Sequence, residues 1–374
     1  MARLVGVGAT SAPEGGRCPT SSTAADGGLM HTLHLGDCLD VLRAMPDCSV
    51  DSVVTDPPYG LKFMGKAWDY DVPSVEIWAE CLRVLKPGGH LLAFAGTRTQ
   101  HRMACRIEDA GFEIRDMLAW VYGSGFPKSL DVSKAIDRAA GAEREVVGQC
   151  KRTGKEAGTY GAMAGDNLLT APATPEAQQW SGWGTALKPS WECVTMARKP
   201  LAGTVAANVL EHGTGALNVD GCRVEGTVPC TTQGQSASAG MIYGSDQREL
   251  RRFEPNTSGR WPANLIHDGS EEVVRLFPTD TEGSAARYFY TAKASRAERR
   301  GITHPTVKPL DLMAYLCRLV TPPGGIVLDP FAGSGTTLEA AVGEGFQAIG
   351  IERDPENFAM AEHRMNGAQL GLGL

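Results

Sequence analysis

Two short motifs carry residues whose types and spacing could do chemistry. The first is Asp56-Pro57-Pro58-Tyr59, which ends the β-branched run from Ser52 to Thr55. Proline fixes φ at about −65° and has no N–H, so the motif predicts a stiff strand end whose carbonyl groups are not consumed by a helix. A carboxylate, a free carbonyl and an aromatic ring at one strand end could hold an amino group and stack a planar ring.

The second motif is a glycine turn between a predicted strand and a predicted helix. It reads Ile326-Val327-Leu328-Asp329-Pro330-Phe331-Ala332-Gly333-Ser334-Gly335-Thr336-Thr337. Such a turn lets a ligand approach the backbone and presents amide groups at a helix N-terminus. Glu352 ends the next predicted strand, 19 positions after Gly333, where a carboxylate can accept hydrogen bonds from both hydroxyls of a ribose. The turn lacks the third glycine of a dinucleotide fingerprint and the Gly-Lys-Thr of a P-loop, so a nucleoside without a diphosphate fits better.

Strands and helices alternate around both motifs. The predicted strands are 32–35, 49–55, 90–95, 112–122, 325–328 and 346–351, and the predicted helices are 39–45, 75–85, 98–110, 132–140, 310–320, 336–345 and 355–366. Short connections between them predict an α/β fold with a doubly wound, mostly parallel sheet. A strand at 191–197 is predicted to pair with the one that ends near Tyr122. Ligands bind beyond the carboxyl ends of such strands, so we expect Asp56 and Gly333 on neighbouring central strands.

The pairing of DPPY with DPFAGSGTT resembles the amino-methylating DNA methyltransferases, which use S-adenosylmethionine. DPPY lies far upstream of the glycine motif, and this order resembles the β group, whose members methylate adenine N6 or cytosine N4 in DNA. Protein and RNA methyltransferases with an Asn-Pro-Pro-Tyr motif usually keep the other order. The resemblance implies a Rossmann-like class I methyltransferase fold that is circularly permuted and carries an inserted, irregular DNA-recognition module.

The resemblance also assigns roles to residues of this chain. Asp56 and the Pro57 carbonyl would accept hydrogen bonds from the target amino group, and Tyr59 would stack on a flipped base, with Phe63 or Trp68 as the opposite wall. The predicted catalytic residues are therefore Asp56, Pro57, Pro58 and Tyr59. The predicted cofactor-binding residues are Asp37, Thr306, Lys308, Asp329, Phe331, Gly333, Ser334, Gly335, Thr336 and Glu352. Among them Asp37 would reach the adenine, Asp329 the methionine ammonium, and the segment from His304 to Pro309 the methionine end.

Three of these assignments have structural alternatives. Asp37 could cap the helix that starts near Leu39, Lys308 could be solvated, and Glu352 could be a surface residue at a strand end. The stretch Trp191-Glu192-Cys193-Val194 departs from the usual His-Glu pair of the family, so no catalytic role is expected there.

The resemblance covers residues 31–123, 186–200 and 304–366. The predicted organisation is a disordered leader at 1–30, the DPPY half at 31–123, an insertion or loop region at 124–185, a returning strand at 186–200, a target-recognition module at 201–303, the cofactor half at 304–366 and a tail at 367–374. Met30 is an alternative start.

Two basic clusters in the middle of the chain could neutralise DNA phosphates. The first is Arg248, Arg251 and Arg252, and the second is Arg287, Lys293, Arg296, Arg299 and Arg300 against a single Glu298. Ordinary solvated charge is the alternative for both. The segment from Gly259 to Asn264 resembles one common in phage and prophage members of the family, which indicates a phage origin.

Composition limits the remaining possibilities. The chain has 374 residues, 42% hydrophobic and 21% charged, with a net charge of −7, which is typical of a soluble globular protein and still allows a local DNA-binding face. No run approaches the roughly 18 apolar residues of a membrane span. The lack of an apolar run long enough for a membrane span or a signal peptide predicts a cytoplasmic protein. The ten cysteines form no C-x-x-C pair, so neither a disulfide framework nor a metal site is predicted.

The leading hypothesis is a DNA adenine-N6 methyltransferase acting on double-stranded DNA, because cytosine-N4 enzymes of the group more often carry Ser at the position of Asp56. Cytosine-N4 methylation, a catalytically inactive DNA-binding subunit and RNA methylation are the alternatives. A homodimer and a cognate restriction endonuclease are further partners that the resemblance allows.

Overall fold

The structure, a computed structural model, describes residues 30–61, 70–125, 127, 129–149, 168–226, 258–280, 283–292 and 308–371. Its strands are β1 (His31–Leu35), β2 (Val50–Thr55), β3 (Leu85–Ala95), β4 (Glu113–Val121), β5 (Val146–Gln149), β6 (Leu168–Thr170), β7 (Trp191–Arg198), β8 (Leu265–His267), β9 (Thr279–Asp280), β10 (Gly283–Ser284), β11 (Tyr290–Thr291), β12 (Ile326–Asp329) and β13 (Gln347–Glu352). Its α-helices are α1 (Cys38–Ala44), α2 (Val75–Val84), α3 (Gln100–Asp109), α4 (Val132–Ala139), α5 (Pro175–Gln179), α6 (Val205–His212), α7 (Glu271–Val274), α8 (Leu310–Val320), α9 (Thr336–Gly343) and α10 (Pro355–Gly371).

A nine-stranded sheet organises the molecule, with the order β1-β13-β12-β2-β3-β7-β4-β8-β11. Neighbouring strands run parallel except at β7, which is antiparallel to both β3 and β4. Two small antiparallel pairs, β5 with β6 and β9 with β10, stand apart from it. The predicted α/β fold with a mostly parallel sheet is confirmed.

Both predicted strand neighbourhoods are confirmed. Strand β7 pairs with β4, so that Trp191 lies opposite Val121. Strands β2 and β12 are adjacent at the centre of the sheet, with Val53 opposite Leu328. Because parallel strands end at the same edge, the DPPY motif and the glycine turn emerge side by side.

Helices cover the sheet on both faces. Successive side chains of a strand point to opposite faces, so Val53 packs into one buried cluster with Leu42 and Trp78, from α1 and α2. Val54 packs into the other, with Leu316 of α8 and neighbours from α9 and α10. Burial of apolar surface on both faces therefore fixes the register of β2, and with it the direction in which Asp56 leaves the sheet.

The middle of the chain is more structured than the sequence pattern indicates. The predicted helix at 132–140 is present as α4, and residues 201–303 contribute α6 as well as β8 and β11. These two short strands extend the main sheet beyond β4, so the described part of this segment is joined to the α/β sheet. The boundaries of a recognition module stay a prediction.

Among the described helices, none has the length and apolar character that a bilayer crossing requires. Within the same residues, no group of three or more His, Cys, Asp or Glu side chains is arranged to hold a metal ion.

Candidate active site

A cleft lies at the carboxyl ends of β2 and β12. It is lined by Asp56, Lys308, Met313, Asp329, Phe331, Ala332, Gly333, Ser334, Thr336 and Thr337. The cleft therefore brings a predicted catalytic residue, Asp56, together with six of the predicted cofactor-binding residues. Pro57, the next residue of the catalytic motif, is buried, and Pro58 and Tyr59 are half-buried.

Asp329 is the last residue of β12 and is held in place by several donors. The Thr55 hydroxyl donates to its Oδ1 at 2.6 Å, and the Phe331 amide donates to the same oxygen at 3.0 Å. Its exposed fraction is only 2%. Burial raises the pKa of Asp329 to about 6, although hydrogen bonds from Thr337, Thr55 and Phe331 oppose the shift. A cation bound beside it would favour the charged carboxylate.

The glycine turn has the backbone that a close-approaching ligand needs. Gly333 and Gly335 have φ of +53° and +81°, in the left-handed region that favours glycine. A Cβ on Gly335 would lie 3.0 Å from the Cβ of Ala361, so this glycine permits α9 and α10 to pack closely. Among the described residues, a Cβ on Gly333 would meet no atom nearer than the Phe331 carbonyl at 3.9 Å. The described part of the cleft is thus open above Gly333, as a cradle for a small ligand requires.

Glu352 ends β13 and holds the glycine turn from beneath. Its Oε2 accepts from the Gly333 amide at 2.8 Å and its Oε1 from the Asp354 amide at 2.7 Å. The side chain is not the solvated surface residue of the alternative interpretation, because Glu352 is buried. Burial raises the pKa of Glu352, and the amide bonds counteract this. Its contact with a ribose stays a prediction.

Asp37 has the capping role that was its alternative. It is the N-cap of α1, and its Oδ1 accepts from the Leu39 amide at 3.0 Å. The preceding Gly36 donates to the Glu352 carbonyl at 2.9 Å. The exposed Asp37 therefore lies beside the end of β13. Its predicted contact with an adenine is compatible with this position and stays a prediction.

Four polar side chains meet where the DPPY motif enters the cleft, and we call them the Asp56 cluster: Asp56, Tyr59, Glu192 and Lys308. The Tyr59 hydroxyl lies 2.7 Å from Asp56 Oδ1 and 2.9 Å from Glu192 Oε2, and donates its one proton to either. The Lys308 ammonium donates to Asp56 Oδ2 at 2.7 Å and to the Tyr59 oxygen at 3.0 Å. It also lies 3.1 Å from Glu192 Oε2.

Charge is concentrated in this cluster. The exposed side-chain fractions are 8% for Lys308 and 22% for Asp56. Burial acts to lower the pKa of Lys308, but Asp56 and Glu192 outweigh it, so the pKa is raised and the ammonium stays charged. Burial raises the pKa of Asp56; the Lys308 charge opposes that shift and Glu192 adds to it. Lys308 is therefore an ion-pair partner of the predicted catalytic carboxylate and not a solvated side chain.

This geometry agrees with the comparison to known protein families. The N6_N4_Mtase family, described as DNA methylase, matches residues 50–363, which include β2, the cleft and the glycine turn. The chain belongs to this family of DNA methylases. The predictions of a DNA methyltransferase and of S-adenosylmethionine as cofactor are thereby confirmed at the level of the family.

Individual relatives share limited sequence identity with this DNA methylase or match only a small part of it. The Type II methyltransferase M.HindIII from Haemophilus influenzae is 27% identical over 295 residues, which cover 78% of this chain and 68% of the relative. YubD from Escherichia coli is 42% identical over 69 residues, 18% of this chain and 30% of the relative. Among solved structures, the PvuII DNA methyltransferase (cytosine-N4-specific) is 16% identical with a TM-score of 0.45, covering 91% of this chain and 90% of its own. The M1.HpyAVI–SAM complex is 18% identical with a TM-score of 0.43, covering 90% and 99%.

Glu192 is a site residue of this DNA methylase that the sequence interpretation missed. It lies near the start of β7, whose following residues Cys193 to Arg198 are buried. Tyr122, at the end of β4, places its hydroxyl 3.4 Å from Glu192 Oε1. The sequence signal that could have indicated it was a single carboxylate near the start of a strand whose next six residues are buried. Its functional meaning depends on the pairing of β7 with β3 and β4, which carries Glu192 to the DPPY edge.

Several predicted residues lie outside the described residues. They are Phe63, Trp68, Arg248, Arg251, Arg252, Lys293, Arg296, Glu298, Arg299, Arg300 and Thr306. Arg287 of the second basic cluster is described. Its guanidinium donates to the Gly283 and Ser284 carbonyls, both at 2.9 Å, and lies 4.3 Å from the ring centroid of Tyr288. These contacts hold the Arg287 side chain against its own loop.

Proposed function

We propose that this DNA methylase transfers the methyl group of S-adenosylmethionine to the exocyclic N6 of adenine in DNA. The observation that carries the proposal is the shared cleft. Asp56, an acceptor for an amino group, faces the same cleft as Asp329 and the open glycine cradle. A nucleobase amine held by Asp56 would thus lie next to a cofactor held by the turn, which is the proximity that group transfer requires.

The chemistry of the target explains why acceptors are needed. An exocyclic amine on a nucleobase is a poor nucleophile, because its lone pair is delocalised into the ring. Fixed acceptors against its N–H groups favour a pyramidal nitrogen and stabilise the positive charge that develops on it. Asp56 would supply one acceptor and the Pro57 carbonyl the second. A carboxylate at position 56 favours adenine over cytosine within this group of enzymes.

The residues around the cradle fit the methyl donor. Bound S-adenosylmethionine supplies a methyl group activated by a sulfonium charge. Asp329 would accept from its ammonium, since burial and a 2.6 Å bond from Thr55 hold that carboxylate in a fixed position. Glu352 retains lone pairs for ribose hydroxyls after accepting the Gly333 and Asp354 amides. Phe331, Ser334, Gly335 and Thr336 would complete the wall, with Thr306 and Asp37 at its two ends.

Tyr59 would hold the target base in this arrangement. A base within a duplex cannot reach the cleft, so the target nucleotide must be extruded, which costs a few kcal/mol. Stacking on an aromatic ring recovers about 1 to 3 kcal/mol per base. The Tyr59 hydroxyl donates to Asp56 or Glu192 and accepts from Lys308, and these contacts hold the ring in one orientation, which favours it as a platform.

The wider architecture belongs to the same proposal. DPPY precedes the glycine turn in the chain, which supports a circularly permuted catalytic domain made of residues 31–123, 186–200 and 304–366. We assign target recognition to residues 201–303, an insertion to residues 124–185, and phosphate contacts to the basic clusters. The proposal also includes a cytoplasmic location, a phage origin, a homodimer and a partner endonuclease.

One labelling experiment tests the proposal. The protein is incubated with methyl-labelled S-adenosylmethionine and unmethylated DNA of mixed sequence, and the DNA is digested to nucleosides. We expect label in N6-methyladenine. Label only in N4-methylcytosine would contradict adenine specificity. Cofactor binding without label in DNA would favour an inactive DNA-binding subunit. In a parallel incubation with RNA of mixed sequence, label in RNA and none in DNA would replace DNA as the substrate.

A further inference from the structure

We infer that Glu192 is a positioning residue that neutralises Lys308, so that the negative charge of Asp56 remains available to the amino group of the target base. This inference rests on the proposed function, because it concerns the same cleft and the same reaction.

The first step is the charge count of the Asp56 cluster. One ammonium, Lys308, lies 2.7 Å from Asp56 and 3.1 Å from Glu192. Two carboxylates and one ammonium leave one net negative charge. That charge is complementary to an amino nitrogen that becomes positive as its bond to the methyl carbon forms and the bond from that carbon to the donor sulfur breaks, before the nitrogen releases a proton to solvent.

The second step is what Lys308 would do without Glu192. Asp56 and Lys308 would then form a neutral pair at 2.7 Å. The developing positive charge on the target nitrogen would then face the buried ammonium of Lys308. Asp56 would be the only carboxylate of the cluster left to that ammonium, and the target amine needs the same carboxylate. Like charges in a poorly solvated site repel strongly. Glu192 removes this conflict by giving Lys308 a second counter-charge.

The third step is the rigidity of Glu192. Its strand, β7, is paired on both sides, with β3 and with β4. Two phenol groups flank the carboxylate, Tyr59 at 2.9 Å and Tyr122 at 3.4 Å. A carboxylate held in this way fixes the position of Lys308 and the orientation of the Tyr59 ring at the same time.

Four groups face Asp56 from the elements packed around it. They are Lys308, ahead of α8; Glu192, on β7; Tyr59, in the DPPY motif; and Asp329, at the end of β12. Removing the charge of Glu192 takes away one negative neighbour. The pKa of Asp56 should therefore fall, while removing Lys308 should raise it.

The test compares Glu192→Gln with the wild type in two measurements. Titration of isotope-labelled aspartate carboxyls by NMR, without cofactor and with Asp56→Asn as the blank, should show a lower pKa for Asp56 in Glu192→Gln. Methyl transfer at saturating cofactor and DNA should fall by on the order of 100-fold, the low end for loss of one preorganised electrostatic contact. Affinity for S-adenosylmethionine should change little. A purely structural role would not combine a lower Asp56 pKa with slower turnover.

A second variant separates charge from folding. In the double variant Glu192→Gln with Lys308→Met, the cluster regains one net negative charge, so turnover should exceed that of Glu192→Gln alone. The matched control is Glu113→Gln, which breaks an ion pair with Arg198 of 2.6 Å at the opposite end of β7; its turnover should match the wild type.

The outcomes distinguish the two proposals. A wild-type protein that methylates no DNA overturns the proposed function. A wild-type protein that methylates DNA, with Glu192→Gln equally active or with an unchanged Asp56 pKa, overturns the role of Glu192 alone. A double variant that binds S-adenosylmethionine as tightly as Glu192→Gln but is no faster also contradicts it.

Discussion

The Thr55 hydroxyl donates a hydrogen bond of 2.6 Å to Oδ1 of Asp329, although 274 residues separate the two in the chain. Thr55 is the last residue of β2 and Asp329 the last of β12, and both are buried. The bond therefore joins the strand that leads into DPPY to the strand that leads into the glycine turn. Together with the pairing of β2 and β12, it fixes the relative position of the two halves of the cleft.

Thr55→Val should weaken this connection. The isosteric change leaves a buried carboxylate with one donor fewer, which should lower the free energy of unfolding by about 1 to 3 kcal/mol in a urea titration. The control is Thr195→Val on β7, because the Thr195 hydroxyl is buried and has no hydrogen-bond partner in the described part of the chain. That change should be neutral or stabilising. Equal losses in both variants would contradict the importance of the Thr55 bond.

Cofactor binding should depend on pH through Asp329. Its pKa is raised by burial from 3.8 to about 6, so the folded protein holds this proton more tightly than the unfolded chain does. The stability contribution of Asp329 is therefore present at low pH and is lost as pH rises through about 6.

A bound ammonium requires the carboxylate, so the pH dependence of affinity has the opposite sign. Below pH 6 the affinity for S-adenosylmethionine should fall by about tenfold per pH unit in calorimetric titrations. Asp329→Asn should bind more weakly and show a flatter profile between pH 5 and 7. An unchanged slope in that variant would assign the dependence to another group, of which Glu352, with its raised pKa, is the first to examine.

Gly335→Ala should destabilise the fold. A side chain at φ +81° is strained, and its Cβ would lie 3.0 Å from Ala361 Cβ and 3.1 Å from Ala361 Cα. Together these effects should cost about 2 kcal/mol or more of unfolding free energy. Gly343→Ala, at the end of the same helix with no described atom within 4 Å of the added Cβ, should be neutral or stabilising by about 0.5 kcal/mol.

Gly333→Val should act on the ligand more than on the fold. The added Cβ has room among the described residues, with its nearest neighbour at 3.9 Å, but the side chain would occupy the cradle that the cofactor needs. We expect binding of S-adenosylmethionine to be abolished, while the unfolding free energy falls by about 1 to 2 kcal/mol, the cost of left-handed backbone geometry. Retained binding would show that the cofactor does not approach this turn.

The sequence predicted the central sheet well because its signals are local and repeated. Alternation of strands and helices, with the rule that ligand sites lie at carboxyl strand ends, was sufficient to place β2 beside β12. The prediction was wrong where residues typical of a turn lie within a strand. The predicted helix at 75–85 and the predicted strand at 90–95 leave Lys86-Pro87-Gly88-Gly89 as a connection between them, whereas β3 already begins at Leu85. These residues form an irregularity in the pairing of β2 with β3. Val50 lies opposite Leu85, whereas Ser52 lies opposite His90.

Other features could not be found without tertiary contacts. Helix α6 carries a buried polar residue, Asn208, whose amide donates to the Pro87 carbonyl at 2.9 Å and to the Thr214 carbonyl at 2.8 Å. This polar position interrupts the apolar periodicity that would have predicted the helix. Glu192 is the corresponding case in the candidate site, since its partners Tyr59 and Lys308 are distant in sequence and only the sheet brings them to it.

The central claim is that Asp56 acts on the target amine and not on the cofactor, and Asp56→Ala tests it most directly. Lys308 keeps Glu192 as a counter-charge in this variant, at 3.1 Å, so the cleft should stay folded. Methyl transfer to DNA and affinity for S-adenosylmethionine are measured on the same preparation. We expect affinity within a few fold of the wild type and no detectable transfer. Transfer at the wild-type rate, or loss of cofactor binding together with transfer, would contradict the account.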